Sequence, residues 1–249
     1  MGYSKSQHML SLMYWRGLGV TKDKNKAFYW SNESANQNYY HAQITLAKFY
    51  LEGVGTQTYQ SKAYEYYLKA LKNSKATSLQ EAYEGLGLCY EKGYGIGKDA
   101  KKAIEYYSKL SCEYIKLIKI AKVHYGVLSD YKEALKLALD AYKLAKEHDP
   151  RGEIGCFLGK LYYHGHGVNQ NYDKSFEYFK EGFKKSFRDG YDDVEPELNY
   201  YIGLSFVNGY GTEKNLEKGK EYLIKAEEKN FASATYALYD ISRGFKRGK

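Results

Sequence analysis

The sequence predicts an all-α fold, a right-handed α-α superhelix (solenoid) of six helix A/helix B pairs closed by a C-terminal helix. A G-x-G element recurs along the 249 residues at intervals of about 40 residues. A Leu-small-x-x-Tyr stretch lies before each element, and a K-A-x-x-Tyr stretch follows it. The chain contains only two prolines, so long helices are permitted almost everywhere. Together these observations predict a helical repeat array without a β-sheet.

The glycine element marks a turn within each repeat. Its clearest copy is GYGIG, which begins at Gly93, and the others begin at Gly17, Gly53, Gly165 and Gly209. A glycine-rich loop can also bind a phosphate, but that use requires a strand before the loop and a helix after it. Helical patterns lie on both sides of the loop here, so we interpret it as a helix–turn–helix connection.

Helix A and helix B of each repeat have apolar stripes with small residues at fixed places. In the third repeat, Leu86, Gly87 and Tyr90 precede the turn at helical spacing. In helix B of the second repeat, Ala63 and Ala70 lie two turns apart with Tyr66 between them. Small residues on one helical face allow a neighbouring helix to approach closely. No pair can bury its apolar face alone, so the pairs are expected to stack.

The repeats predict the organisation of the whole chain. Their expected bounds are 1–38, 39–76, 77–112, 113–148, 149–190 and 191–230, followed by a closing helix at 231–246. We expect residues 1–249 to form a single solenoid domain. The fourth unit is degenerate, because its turn is shortened to YGVLSD.

This pattern resembles the Sel-one-like repeat family, a relative of the tetratricopeptide repeat. The family is marked by A-x-x-x-L-G-x-x-Y-x-x-G-x-G-V followed by K-A-x-x-W/Y-Y-x-x-A, and AYEGLGLCYEKGYGIGKDAKKAIEYYSKL matches it nearly position by position. The resemblance covers almost the whole chain and implies an α-solenoid. Some secreted bacterial members carry a disulfide in each repeat, a version that the three unpaired cysteines here, Cys89, Cys112 and Cys156, do not fit.

Composition narrows the classes of function. An odd number of cysteines without paired spacing indicates a reduced, cytoplasmic protein. No apolar run approaches the ~20 residues that span a bilayer. The net charge of +8 is compatible with nucleic-acid binding. Lysines nevertheless alternate with glutamates along the chain, which is typical of solvated helix surfaces. A nucleic-acid-binding repeat protein is therefore the alternative to a protein-binding scaffold. The alternation of charges disfavours this alternative.

No catalytic, cofactor or metal constellation stands out in the sequence. His164 and His166 flank a turn glycine, but no nearby cysteine or acidic residue completes a set of four ligands. The other histidines are scattered and have no nucleophile beside them in a recognisable motif. We therefore expect a non-enzymatic, monomeric adaptor without a cofactor.

By analogy with tetratricopeptide arrays, the A helices are expected to line a concave face that binds a peptide or helical segment of a partner protein. The residues expected on that face are His8, Trp15, His41, Lys48, Glu81, Glu84, Glu91, Tyr125, Lys160 and Tyr163. The face positions nearest the turns form a largely apolar row, and this row is equally compatible with packing against the next helix. Its members are Trp15, Leu51, Glu91, Tyr125, Tyr163 and Val207. The three glutamates are expected to form an acidic patch that selects a ligand with Lys or Arg. Their reversal to lysine is expected to leave folding intact.

Overall fold

The computed structural model describes residues 2–74, 79–145, 152–186 and 195–243. Within these ranges it contains thirteen α-helices and no strand. The helices are α1 (Gly2–Arg16), α2 (Lys24–Asn36), α3 (Tyr40–Glu52), α4 (Gln60–Asn73), α5 (Gln80–Lys92), α6 (Ala100–Ser108), α7 (Glu113–Gly126), α8 (Tyr131–Ala145), α9 (Glu153–His164), α10 (Tyr172–Ser186), α11 (Glu195–Asn208), α12 (Leu216–Glu228) and α13 (Ala232–Ser242). Consecutive helices pack as A and B elements in five pairs, α1–α2, α3–α4, α5–α6, α9–α10 and α11–α12, which confirms the predicted all-α repeat fold.

The chain divides into two compact units. The first comprises Met1–Cys112 with Gly126–Leu128, and the second comprises Glu113–Tyr125 with Ser129–Lys249. The predicted repeat borders near residues 76, 148 and 190 lie outside the described residues, and so do residues 244–246 of the predicted closing helix. A single solenoid domain over the whole chain therefore stays a prediction.

Each glycine turn ends helix A and leads into a capped helix B. In the third repeat the amides of Gly93 and Tyr94 both donate to the Cys89 carbonyl, at 2.8 and 2.9 Å. Asp99 then caps α6, because its side chain accepts from the Lys102 amide at 3.0 Å. Equivalent caps begin four other B helices, at Asp23, Asp130, Asn171 and Asn215. The turn therefore lies between two helices, as predicted.

The small residues of helix A allow rings of helix B to lie directly on its backbone. At Gly87, an added Cβ would overlap the ring of Tyr107, and at Gly159 it would overlap the ring of Phe179. Both rings are almost completely buried. This confirms the Leu-small stripe as the surface along which A and B helices pack.

The aromatic residue that precedes each G-x-G turn is a packing residue that also contacts a lysine. Tyr90 stacks on Tyr106 with ring centroids 5.8 Å apart, and the Lys102 ammonium lies 5.2 Å from the Tyr90 centroid. The same contact recurs in four other repeats, as Lys26–Tyr14, Lys62–Tyr50, Lys174–Tyr162 and Lys218–Phe206. Part of the positive charge of the chain is thus directed at aromatic rings within the repeats.

Candidate functional site: a cavity between the first three A helices

A small cavity opens between α1, α3 and α5 in the first unit. Its volume is about 200 Å³, and it is lined by His8, Leu12, Trp15, Arg16, His41, Thr45, Lys48, Phe49 and Glu81. Five of these residues belong to the face that the sequence predicts for partner binding: His8, Trp15, His41, Lys48 and Glu81. The fold therefore brings side chains of three consecutive repeats around one concavity.

Aromatic rings supply the apolar part of the lining. Trp15 meets Phe49 edge to face, with centroids 5.7 Å apart, and Phe49 is buried whereas Trp15 is partly exposed. The guanidinium carbon of Arg16 lies 5.5 Å from the Trp15 ring centroid. An apolar cavity of roughly 150 Å³ is large enough for benzene. The cavity between α1, α3 and α5 therefore has room for one aromatic side chain.

His8 is a buried, uncharged member of the lining at neutral pH. Its Nε2 lies 3.0 Å from Thr45 Oγ1, and its ring stacks on His41 with centroids 6.2 Å apart. Burial, and next the neighbouring His41, lower the pKa of His8 to about 4, against a smaller opposing effect of Glu81. The imidazole can therefore keep its hydrogen bond to Thr45 without carrying a charge.

This lowered pKa predicts a pH-dependent stability. The unfolded chain binds a proton at His8 near pH 6.5, and the folded chain binds one only near pH 4. The contribution of the neutral His8 side chain to the free energy of unfolding is therefore complete above pH 6.5 and is lost as the pH falls towards 4. Between pH 7 and pH 5, wild type should lose about 1–2 kcal/mol more stability than a His8→Gln variant. Urea midpoints at both pH values measure the difference. Parallel pH profiles for the two proteins would contradict the prediction.

Lys48 and Glu81 are bound to each other across the cavity rim. Lys48 Nζ lies 2.6 Å from Glu81 Oε2, which joins α3 to the first turn of α5. The second unit repeats this arrangement between consecutive A helices, as Lys122–Glu153 at 2.5 Å and Lys160–Glu197 at 2.7 Å. An exposed pair such as Lys48–Glu81 contributes only about 0–1 kcal/mol. The Lys48–Glu81 pair is therefore an inter-repeat contact that a ligand can break at a small cost in free energy.

Glu91 corrects the expectation of an exposed acidic patch. The residue is only 6% exposed, and its carboxylate accepts a hydrogen bond from the Tyr107 hydroxyl at 2.8 Å. It also lies 2.5 Å from Lys92 Nζ. Glu91 therefore links α5 to α6 inside the third repeat and is not on the exposed face with Glu81. Glu84 is half-buried, and Glu81 is paired with Lys48, so the three carboxylates behind the predicted Lys or Arg preference do not form one exposed, unpaired patch.

The three predicted residues in the second unit are engaged in packing. The Tyr125 hydroxyl lies 3.1 Å from His166 Nδ1, and Lys160 pairs with Glu197. Tyr163 contacts the Tyr201 ring with centroids 5.3 Å apart. The two turn histidines, His164 and His166, both contact tyrosine hydroxyls. His164 Nε2 lies 3.3 Å from the Tyr201 hydroxyl, and His166 Nδ1 is the partner of Tyr125. Among the described residues, no group of three or more His, Cys, Asp or Glu side chains is placed to hold a metal ion.

Family comparison identifies the repeats. The Sel1 repeat model matches five segments, residues 4–39, 41–74, 80–113, 156–185 and 196–231, which together exceed half of the chain. The chain belongs to the Sel1 repeat family. The matches pass over residues 114–155, where the sequence predicts the degenerate fourth repeat.

Solved structures share the fold of this chain at low sequence identity. A Sel1 repeat protein from Oxalobacter formigenes is 23% identical with a TM-score of 0.68, covering 90% of this chain and 84% of that one. The protective antigen c5321 of uropathogenic Escherichia coli, which displays an SLR fold, is 22% identical with a TM-score of 0.56, covering 96% and 49%. A chain of the APC/C hetero-tetramer Cut9–Hcn1 is 17% identical with a TM-score of 0.62, covering 96% of this chain and 46% of that one. This chain spans about half the length of the last two.

Sel1 repeats are generally protein-interaction scaffolds, and the proteins built from them are generally non-catalytic. The three cysteines of this Sel1 repeat protein are free thiols, two of them buried. Over the ranges that the structure describes, no helix combines the length and the apolar character needed to cross a bilayer. Within the described residues, the cavity between α1, α3 and α5 gives this repeat scaffold a concave, partly aromatic surface.

Proposed function

We propose that this Sel1 repeat protein is a non-catalytic adaptor that binds a peptide or helical segment of a partner protein across the A helices of its first unit. The observation that carries the proposal is the cavity between α1, α3 and α5, where Trp15, Leu12 and Phe49 surround a space of about 200 Å³. Aromatic residues in concave, desolvated sites are the groups that most often dominate protein interfaces.

The size of the cavity favours a side chain over a free small molecule. Sites for drug-sized ligands commonly enclose about 300–1,000 Å³, so this one is small for a cofactor. A single aromatic side chain on an extended or helical segment fills it and leaves the rest of the segment on the neighbouring A helices. The segment then contacts three repeats at once, since α1, α3 and α5 each contribute lining residues.

The tryptophans of the chain can report binding in the cavity. The chain contains two tryptophans, Trp15 in the cavity lining and Trp30 in α2, outside it. Protein labelled with 5-fluorotryptophan gives one ¹⁹F resonance for each, and a Trp30→Phe variant assigns them. Peptides selected from a random displayed library against the immobilised protein are expected to shift the Trp15 resonance and to leave the Trp30 resonance in place.

A Trp15→Leu variant supplies the matching loss of function. It keeps an apolar side chain of the partly exposed residue, so the helical circular dichroism should be unchanged, while affinity for the selected peptides falls about tenfold or more. Failure of every selected peptide to perturb Trp15, or equal affinity for Trp15→Leu, would contradict binding in this cavity.

A further inference from the structure

The charges around the cavity do not balance. Its lining contains two cations, Arg16 and Lys48, and one carboxylate, that of Glu81. Lys48 and Glu81 neutralise each other at 2.6 Å. His8, held at a pKa of about 4, adds no charge at neutral pH. The positive charge of Arg16 is therefore the surplus that a ligand meets.

Arg16 is placed to use that charge on a ligand. It is exposed at the end of α1, and its guanidinium lies 5.5 Å from the centroid of Trp15, the ring that a bound aromatic side chain would touch. Within the parts of the chain described, no carboxylate lies within ion-pair distance of Arg16. A guanidinium held on an aromatic face keeps its outer N–H groups free to bind a carboxylate in the forked geometry that arginine favours.

From this geometry we infer that the cavity selects a partner segment in which Asp or Glu stands next to the aromatic anchor. The inference rests on the proposed function and adds the charge of the ligand to it. The aromatic side chain enters the cavity beside the contacting rings of Trp15 and Phe49, and the neighbouring carboxylate binds Arg16. This chemistry is opposite to the Lys or Arg preference expected from the sequence, because Glu91 is buried and Glu81 is already paired with Lys48.

The test uses the full chain and a defined peptide library. Displayed peptides of about nine residues, with a fixed central Phe and randomised flanks, are selected in parallel on wild type, Arg16→Gln and Lys22→Gln. Lys22 is an exposed turn lysine outside the cavity lining, so its variant removes the same charge elsewhere. Wild type and Lys22→Gln should enrich Asp and Glu beside the Phe, and Arg16→Gln should not.

Affinity measurements then separate charge from packing. For a fluorescein-labelled acidic peptide from the selection, Arg16→Gln should weaken binding about three- to tenfold, whereas the Gln-substituted peptide should bind both proteins within about twofold. Raising the salt from about 50 mM to about 300 mM should weaken only the acidic peptide on wild type, because exposed charges are screened.

The two proposals fail differently. Enrichment of Lys or Arg, or of no charge at all, in peptides that still shift the Trp15 resonance would overturn the acidic preference and leave the adaptor proposal standing. An unchanged acidic enrichment on Arg16→Gln would also overturn it. Peptides that never perturb Trp15 would overturn both.

Discussion

Replacement of Gly95 by alanine is expected to lower stability by about 2–5 kcal/mol, one of the two largest effects predicted for this chain. Gly95 has φ +71°, a conformation that costs a residue with a Cβ about 1–2 kcal/mol. An added Cβ would also lie 2.6 Å from the Gln60 carbonyl oxygen and overlap the Cα of Ser61, at the start of α4. Both neighbours are backbone, so they cannot move aside as a side chain would. The melting temperature should fall by roughly 5–15 °C.

Gly19 is the matched control, because the first repeat has no earlier helix B beside its turn. Its φ is also +71°, but the nearest atom to an added Cβ is the terminal methyl of Met13 at 3.8 Å. Gly19→Ala should therefore show only the conformational cost, about 1–2 kcal/mol. Equal melting temperatures for the two variants would show that the second turn glycine is not an inter-repeat contact. An unchanged Gly95→Ala melting curve with lost peptide binding would instead make the turn a ligand element.

The fold was predictable from sequence because the same residue types recur at the same repeat positions. Leu86, Gly87 and Tyr90 have equivalents in nearly every repeat, and packing that recurs leaves a pattern that one sequence displays by itself. The N-caps of the B helices also leave a pattern in the sequence, since Asp or Asn follows the first turn glycine by six residues in four repeats. Asp99 caps α6 by a local hydrogen bond, which depends only on nearby residues.

The candidate site was predictable only in part, because its contacts join different helices. Helical spacing places Trp15 and His8 on one face of α1, and the structure shows both lining the cavity. The same spacing groups Glu91 with Glu81, but the burial of Glu91 depends on Tyr107, a residue of the next helix. The Lys48–Glu81 pair also joins two repeats; the recurrence of lysine and glutamate at equivalent places in the second unit was the signal for it.

Reversal of Glu91 to lysine is expected to destabilise the protein strongly, in contrast to the expectation that all three glutamates can be reversed without harm. Glu91 is buried at 6% exposure, and the Tyr107 hydroxyl donates to it at 2.8 Å. Burial, and next the Glu91 carboxylate, raise the pKa of Tyr107, so the hydroxyl stays protonated and remains a donor. A lysine here would bury a charge in place of the carboxylate and remove the acceptor to which the Tyr107 hydroxyl donates, which costs about 3–5 kcal/mol.

Two variants separate this buried link from surface charge. Glu91→Gln keeps an acceptor for Tyr107 and should cost about 0.5–1.5 kcal/mol. Glu81→Lys places the same charge reversal at an exposed position, where a change within about 1 kcal/mol is expected. Thermal and urea unfolding followed by circular dichroism should therefore rank the midpoints as Glu81→Lys, then Glu91→Gln, with Glu91→Lys far below both. If Glu91→Lys melted with wild type, Glu91 would belong on the exposed A-helix face after all, and the acidic patch predicted from helical spacing would regain its third member.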